Sequence, residues 1–205
     1  MMALLYRDWI VIKKTRAMYI GLLYLLFLIP NSGNSFMINY STNFLFIFVA
    51  YLFFSYLTAY DYKYNGLAFS AAFPVSKEEI VSARYTFIGL TFLAYLCVLV
   101  LLKVIFNIFQ QNDSLIDFRQ LGFYIIIFSI FFSIIIPLYY KLGYQKIRWA
   151  MFFGMFTAAI ISSLFAEANL MFNAPVFFII SCIAGGLLYW YSSRMSCRII
   201  KTKDL

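Results

Sequence analysis

Apolar residues in this chain come in long blocks separated by short polar stretches, and they do not alternate with polar residues as in an amphipathic helix or a strand. A helix needs about 20 residues to cross a hydrocarbon core of roughly 30 Å. By that measure the pattern predicts an all-α integral membrane protein, a single transmembrane domain over residues 1–205. The six predicted spans are residues 17–38, 42–60, 85–109, 121–140, 149–166 and 174–193.

The composition agrees with this membrane prediction. Hydrophobic residues make up 64% of the chain and charged residues 12%, whereas a soluble domain is roughly 45–50% apolar and about 25% charged. The net charge of +8 would favour a nucleic-acid surface in a soluble protein. Here the basic residues lie between apolar blocks, so we expect the lipid bilayer and no nucleic acid as a partner.

The distribution of Lys and Arg predicts the orientation, because cytoplasmic loops of membrane proteins retain an excess of positive charge. With the N-terminus inside, only Lys103 and Arg119 of the sixteen basic residues fall outside the cytoplasmic segments. We therefore expect a multi-pass protein of the cell membrane with both termini in the cytoplasm, and residues 194–205 as a basic cytoplasmic tail.

Residues 1–16 are too polar to cross the bilayer and predict an interfacial amphipathic helix. An alternative interpretation is that they form the beginning of the first span, but four basic residues within ten positions would be costly in the hydrocarbon core. The apolar positions at helical spacing are Met2, Leu5, Trp9 and Ile12, and the charged residues largely on other faces are Arg7, Asp8, Lys13 and Lys14.

The segment 61–84 is the longest predicted cytoplasmic loop. Apolar residues alternate from Leu67 to Phe73 and predict a short amphipathic helix, which Pro74 ends. Ser76 and Glu79 have the spacing of a capping box and predict the start of the next helix. The loop is therefore expected to be a stiff handle able to transmit force. The alternative, which this pattern leaves open, is a surface loop without a partner.

Residues of this loop resemble a family motif. The positions concerned are Asp61, Asn65 and Gly66, then Phe73, Pro74, Val75, Ser76 and Lys77, then Ile80, Val81 and Arg84. They resemble the integral membrane subunits of ABC-2 type ATP-driven exporters. In that family an acidic residue after the second span is followed by Asn-Gly or a similar pair, a Leu-Pro-Val-Ser-Arg-like turn and an Ile-Val-x-x-Lys-like entry to the third span. Phe73 stands where Leu is usual in the family. Lys77 stands where Arg is usual and Arg84 where Lys is usual, so both positions keep a basic residue.

The resemblance implies a permease that works with other subunits. These are a separate cytoplasmic ATPase, which binds ATP and Mg²⁺, and a second membrane subunit, identical or related, that faces this one across the substrate path. The first cytoplasmic loop would be the coupling helix that docks on the ATPase. Within the family, this short form is similar to the membrane subunits of the phenol-soluble-modulin exporters of Gram-positive bacteria.

Several chemistries lack the residues that they require. The chain has no histidine, which is the commonest metal ligand and general base. It also has no Gly-x-x-x-x-Gly-Lys-Ser/Thr loop for nucleotide phosphates. We expect no catalytic residue, no metal site and no cofactor in this chain. No residue marks a substrate site.

The sequence thus favours an exporter permease subunit that moves a hydrophobic or amphipathic molecule, presumed from the resemblance to be a peptide. The alternative is a non-transporting membrane protein, an immunity, sensor or anchor subunit that binds a peptide or a partner; both have the same predicted topology. The residues predicted to couple the loop to the ATPase are Phe69, Phe73, Pro74, Lys77, Glu78 and Glu79.

Overall fold

The computed structural model describes residues 2–14, 35–66, 75–110, 118–167 and 173–202. Every regular element within these ranges is an α-helix, which confirms the all-α prediction for this part of the chain. The helices are α1 (Met2–Lys14), α2 (Ser35–Lys63), α3 (Lys77–Gln110), α4 (Phe118–Leu142), α5 (Tyr144–Glu167) and α6 (Ala174–Lys201).

Three segments among the described residues are long and apolar enough to cross a membrane. They are Lys77–Val98, Leu121–Leu142 and Ala174–Lys201, and they overlap the predicted third, fourth and sixth spans. The total of six crossings stays a prediction, and most of the first span lies outside the described residues.

Helix boundaries differ from the predicted spans at several points. Helix α2 begins at Ser35, so residues 35–38, predicted to end the first span, lie on the same helix as the second span. No Gly or Pro between Ser35 and Thr42 interrupts that helix. Helix α6 continues to Lys201, eight residues beyond the predicted end of its span, so most of the predicted tail is helical.

Helix α4 lies at the centre of the packing and has its most extensive interface with α6. Small residues let the two backbones approach closely. A Cβ added at Gly185 would lie 2.7 Å from Oγ of Ser129, and one added at Gly122 would lie 2.9 Å from the ring of Phe177. Close approach through Gly and Ser is typical of helix pairs in membranes.

Aromatic rings fill the space between α2, α3 and α4. The ring of Phe54 meets Phe132 edge to face at a centroid distance of 5.6 Å, and the ring of Phe92 stacks on Phe128 at 3.7 Å. All four rings are buried. This aromatic layer fixes the inner parts of α2 and α3 against α4.

Helices α5 and α6 present apolar side chains outward. Exposed residues on α6 include Ile179, Ile183 and Leu187, as expected for a face that contacts lipid or another membrane subunit. Near one end of each helix an arginine lies over an exposed tryptophan, with a guanidinium-to-ring distance of 5.4 Å in both cases. Such amphipathic side chains are enriched at membrane–water interfaces.

Candidate functional site

Four charged side chains meet where α1, α2 and α3 come together, and we refer to Arg7, Asp8, Asp61 and Arg84 as the charge cluster. Arg84 forms an ion pair with Asp61 through its Nη2 atom, and its Nη1 atom lies 3.5 Å from Oδ2 of Asp8. Nη2 of Arg7 lies 2.9 Å from Oδ1 of Asp8 and 3.5 Å from Oδ1 of Asp61. Each carboxylate therefore faces both guanidinium groups.

Three of the four members of the charge cluster are almost completely removed from solvent, and the fourth, Arg7, is partly buried with 24% of its side chain exposed. Arg84 is 2% exposed, Asp8 3% and Asp61 5%. Two positive and two negative groups give it no net charge, which is the condition under which burying ions is tolerable. Tyr139 and Tyr140 of α4 are also buried.

The turn after α2 is shaped to fit this cluster. Asn65 has a φ of 49°, in the left-handed region that Asn tolerates better than most residues. A Cβ at the next residue, Gly66, would overlap the carboxylate of Asp61 and lie 3.0 Å from its Cα. Nη1 of Arg7 also donates a hydrogen bond to the carbonyl oxygen of Gly66 at 3.3 Å. Asn65 is thus explained by its left-handed backbone conformation, and Gly66 by the lack of space for a side chain.

The start of α3 confirms the predicted capping box. The backbone N–H of Glu79 donates to Oγ of Ser76 at 3.2 Å, and the backbone N–H of Ser76 donates to Oε2 of Glu79 at 3.3 Å. Ile80 packs with Leu4 of α1, and Val81 is fully buried in the main core. The cap and these two apolar contacts fix the orientation of the first turns of α3.

The motif residues behind the resemblance therefore have a shared structural role. Asp61, Asn65, Gly66 and Arg84 build the charge cluster and the adjoining turn, and Ser76, Ile80 and Val81 fix the helix that carries Arg84. Asp61 lies in the last turn of α2 and Arg84 about two turns into α3, so their ion pair joins the two helices that flank the loop.

Of the predicted coupling residues, Lys77, Glu78 and Glu79 lie in the first turn of α3. Glu79 completes the capping box, and Glu78 forms an ion pair with Lys201 at the end of α6. Phe69, Phe73 and Pro74, and the predicted amphipathic helix with its proline break, lie outside the described residues.

The role of α1 was only partly predicted. It is a helix, but Asp8, expected on a face away from the apolar residues, is buried together with Leu4, Val11 and Ile12. Met2 and Trp9, expected on the apolar face, are exposed. The sequence does contain a signal for this buried face, because Leu4, Asp8, Val11 and Ile12 lie on one side of the helix. The charge of Asp8 makes that side look polar, so the signal is easily missed.

The turn between α4 and α5, which the sequence predicts to be cytoplasmic, packs against the same end of the bundle. Helices α4 and α5 are separated by Gly143 alone, whose φ of 77° breaks the helix. Just beyond it, Tyr144 packs its ring against Tyr62 at a centroid distance of 5.4 Å, and Gln145 donates a hydrogen bond to the Tyr62 hydroxyl. The residue after Asp61 is therefore in contact with the α4–α5 turn.

No group of three or more potential metal ligands from Cys, Asp or Glu occurs among the described residues. What the site offers is mechanical: a neutral, largely buried ion cluster that joins the middle of α1 to the last turn of α2 and the early turns of α3. Taken with the apolar, span-length helices, this arrangement defines a multi-pass membrane protein with a rigidly anchored loop at one end.

Comparison with known families identifies the class further. Residues 3–201 match the family described as ABC-2 family transporter protein. The chain therefore belongs to the ABC-2 transporter family, as the loop motif indicated. Searches of curated proteins and of solved structures gave no match.

Proposed function

We propose that this chain is the membrane-spanning permease subunit of an ATP-driven exporter, and that its 61–84 loop receives the movement of a separate cytoplasmic ATPase. The family assignment supports a transporter subunit. The observation that carries the coupling role is the ion pair between Asp61 and Arg84. It joins α2 and α3, the two helices that flank the loop, inside a largely buried cluster.

The mechanism follows from how the loop is rooted. A loop on independent, flexible ends would absorb a push from the ATPase by local bending. Here α2 and α3 are joined to each other by Asp61 and Arg84, and to α1 by Arg7 and Asp8. Because packed and ion-paired elements shift as units, a displacement of the loop moves α1 together with the adjoining parts of α2 and α3.

The remaining features of the proposal come from the sequence and the family. The loop faces the cytoplasm, the ATPase binds ATP and Mg²⁺, and a second membrane subunit completes the path. This chain contributes no catalytic group. The cargo is a hydrophobic or amphipathic molecule, which we propose to be a peptide moved outward, as in the exporters of phenol-soluble modulins that the sequence resembles.

The loop's partner can be tested by purification from native membranes in detergent. The tagged wild-type chain should recover a P-loop ATPase with measurable ATP hydrolysis. Phe73→Asp should lose that ATPase, because a charge would replace an apolar contact in the docking surface. Phe118→Asp is the matched control, since Phe118 is an exposed phenylalanine at the start of α4, and it should retain the ATPase.

Two outcomes would contradict this proposal. Recovery of the wild-type chain without any ATPase would favour the immunity, sensor or anchor alternative. Equal recovery of the ATPase with both phenylalanine variants would show that the loop is not the docking site. Thermal unfolding of each variant confirms that a loss of binding does not come from unfolding.

A further inference from the structure

The C-terminal end of α6 packs alongside the first turns of α3. Ser192, Ser196 and Ile200 are buried on one side of this end of α6, at spacings of four residues that place them on one helical face. Ile200 belongs to the same core cluster as Val81 and Tyr85 of α3. This part of the chain, which the sequence analysis assigned to a tail, is therefore built into the bundle.

A chain of hydroxyl groups connects the two helices. Oγ of Ser192 donates to the carbonyl oxygen of Ser133 at 2.8 Å, so its single proton is used. The hydroxyl of Tyr85, 2.6 Å away, must then donate to Ser192, and Ser196 at 2.8 Å must donate to Tyr85. The hydroxyl of Tyr189 also donates to the carbonyl oxygen of Tyr85 at 2.8 Å. Tyr85 is thus tied to α6 at three positions.

The second connection lies at the very start of α3. Glu78 forms an ion pair with Lys201, and both side chains are more than half exposed. An exposed pair adds little to stability. Its position matters more, because Glu78 precedes Tyr85 by seven residues, or about two helical turns. The two connections, which we call the α3–α6 clamp, therefore hold α6 along the first two turns of α3.

We propose that the α3–α6 clamp makes the C-terminal end of α6 part of the coupling unit, with Glu78 and Tyr85 as positioning residues. This inference rests on the proposed function. When the loop displaces the start of α3, the clamp carries α6 with it. Helix α6 bears an extensive exposed apolar face, so its shift would change the contacts of this subunit with its surroundings. Glu78 acts within the chain and not as an ATPase contact.

A charge exchange separates these two roles of Glu78. The variants are Glu78→Lys, Lys201→Glu and the double variant, each purified with the ATPase in lipid nanodiscs. We expect each single variant to bind the ATPase and keep its unfolding temperature, yet to hydrolyse ATP several-fold more slowly. The double variant should recover hydrolysis, because the pair is restored with its charges reversed. A direct ATPase contact would not be restored in this way.

The proposal is overturned if the single variants hydrolyse ATP at the wild-type rate, or if the double variant does not recover. If the wild-type chain brings no ATPase, the proposed function fails first, and the clamp is then judged in the isolated chain. With the three native cysteines replaced by serine, a short bifunctional thiol reagent should cross-link Glu78→Cys to Lys201→Cys. It should cross-link Glu79→Cys to Lys201→Cys far less, since Glu79 points toward Ser76. Equal cross-linking of both pairs would disprove the clamp.

Discussion

Removing one carboxylate from the charge cluster is the most direct test of the site. In the variant Asp61→Ala, Arg84 loses its ion-pair partner and keeps only the carboxylate of Asp8 at 3.5 Å. Arg7 loses its 3.5 Å contact as well. The cluster changes from neutral to a net charge of +1 in a place where Arg84 is 2% exposed.

The expected magnitude follows from the burial. Breaking a buried ion pair by removing one partner costs about 3–5 kcal/mol, because the other charge is left uncompensated. For a chain of this size, about 1 kcal/mol corresponds to roughly 2–4 °C in the unfolding temperature. We therefore expect Asp61→Ala to lower the unfolding temperature of the detergent-purified protein by roughly 6–20 °C.

Two further variants make the assay specific. Adding Arg84→Met to Asp61→Ala removes both charges of the pair, and it should recover much of the loss, since apolar replacement of a buried pair is often nearly neutral. Glu78→Ala removes an exposed carboxylate and should leave the unfolding temperature nearly unchanged, because exposed ion pairs add little to stability. If Asp61→Ala shifts the unfolding temperature no more than Glu78→Ala does, the cluster is solvated and the reasoning is wrong.

The remaining predictions concern small residues and the helix cap, and each is measured by thermal unfolding in detergent. Gly185→Ala should destabilise the protein, because a methyl group would lie 2.7 Å from Oγ of Ser129. Gly186→Ala is the control and should be neutral, because nothing lies within 4 Å of the added group. Similar unfolding temperatures for the two variants would contradict the α4–α6 packing. Gly66→Ala should cost about 1–3 kcal/mol, because the added group displaces the carboxylate of Asp61; an unchanged unfolding temperature would refute the close turn. Ser76→Ala should cost about 1 kcal/mol through loss of the capping box, and an effect below experimental error would show that the cap is not formed in solution.

Local patterns in the sequence were sufficient for part of this architecture. The capping box depends on residues three positions apart, so the Ser76–Glu79 pair was readable directly, and the structure confirms it. Long apolar blocks likewise identified the helices, because the length needed to cross a bilayer is fixed. The ends of the helices were harder to predict from the sequence. Helix α6, for example, continues past its predicted span, where Ile200 packs in the same core cluster as Val81 and Tyr85 of α3.

Contacts between segments that are far apart in the chain could not be predicted from the sequence. Asp8 and Arg84 are 76 positions apart, and nothing in either local sequence indicates that one neutralises the other. The charge of Asp8 placed it on the presumed polar face of α1, but an ion with a buried partner lies in the interior more favourably than an ion alone. The pairing of Glu78 was equally impossible to predict from local sequence, because its partner Lys201 is on the last helix.

Apolar packing could join three helices with equal stability and without burying charges, so the charge cluster calls for a reason other than stability. Ion pairs between named partners fix the register of helices more strictly than interchangeable methyl groups do. A loop that must pass a small displacement to the bundle depends on such a fixed register, because slippage at its base would dissipate the movement. In the proposed mechanism, Asp61 and Arg84 prevent the loop ends from moving apart, Arg7 and Asp8 add α1, and the clamp adds α6. Asp61 and Arg84 lie on the two helices that lead into and out of the loop, which is where a transmitting element has to be stiff.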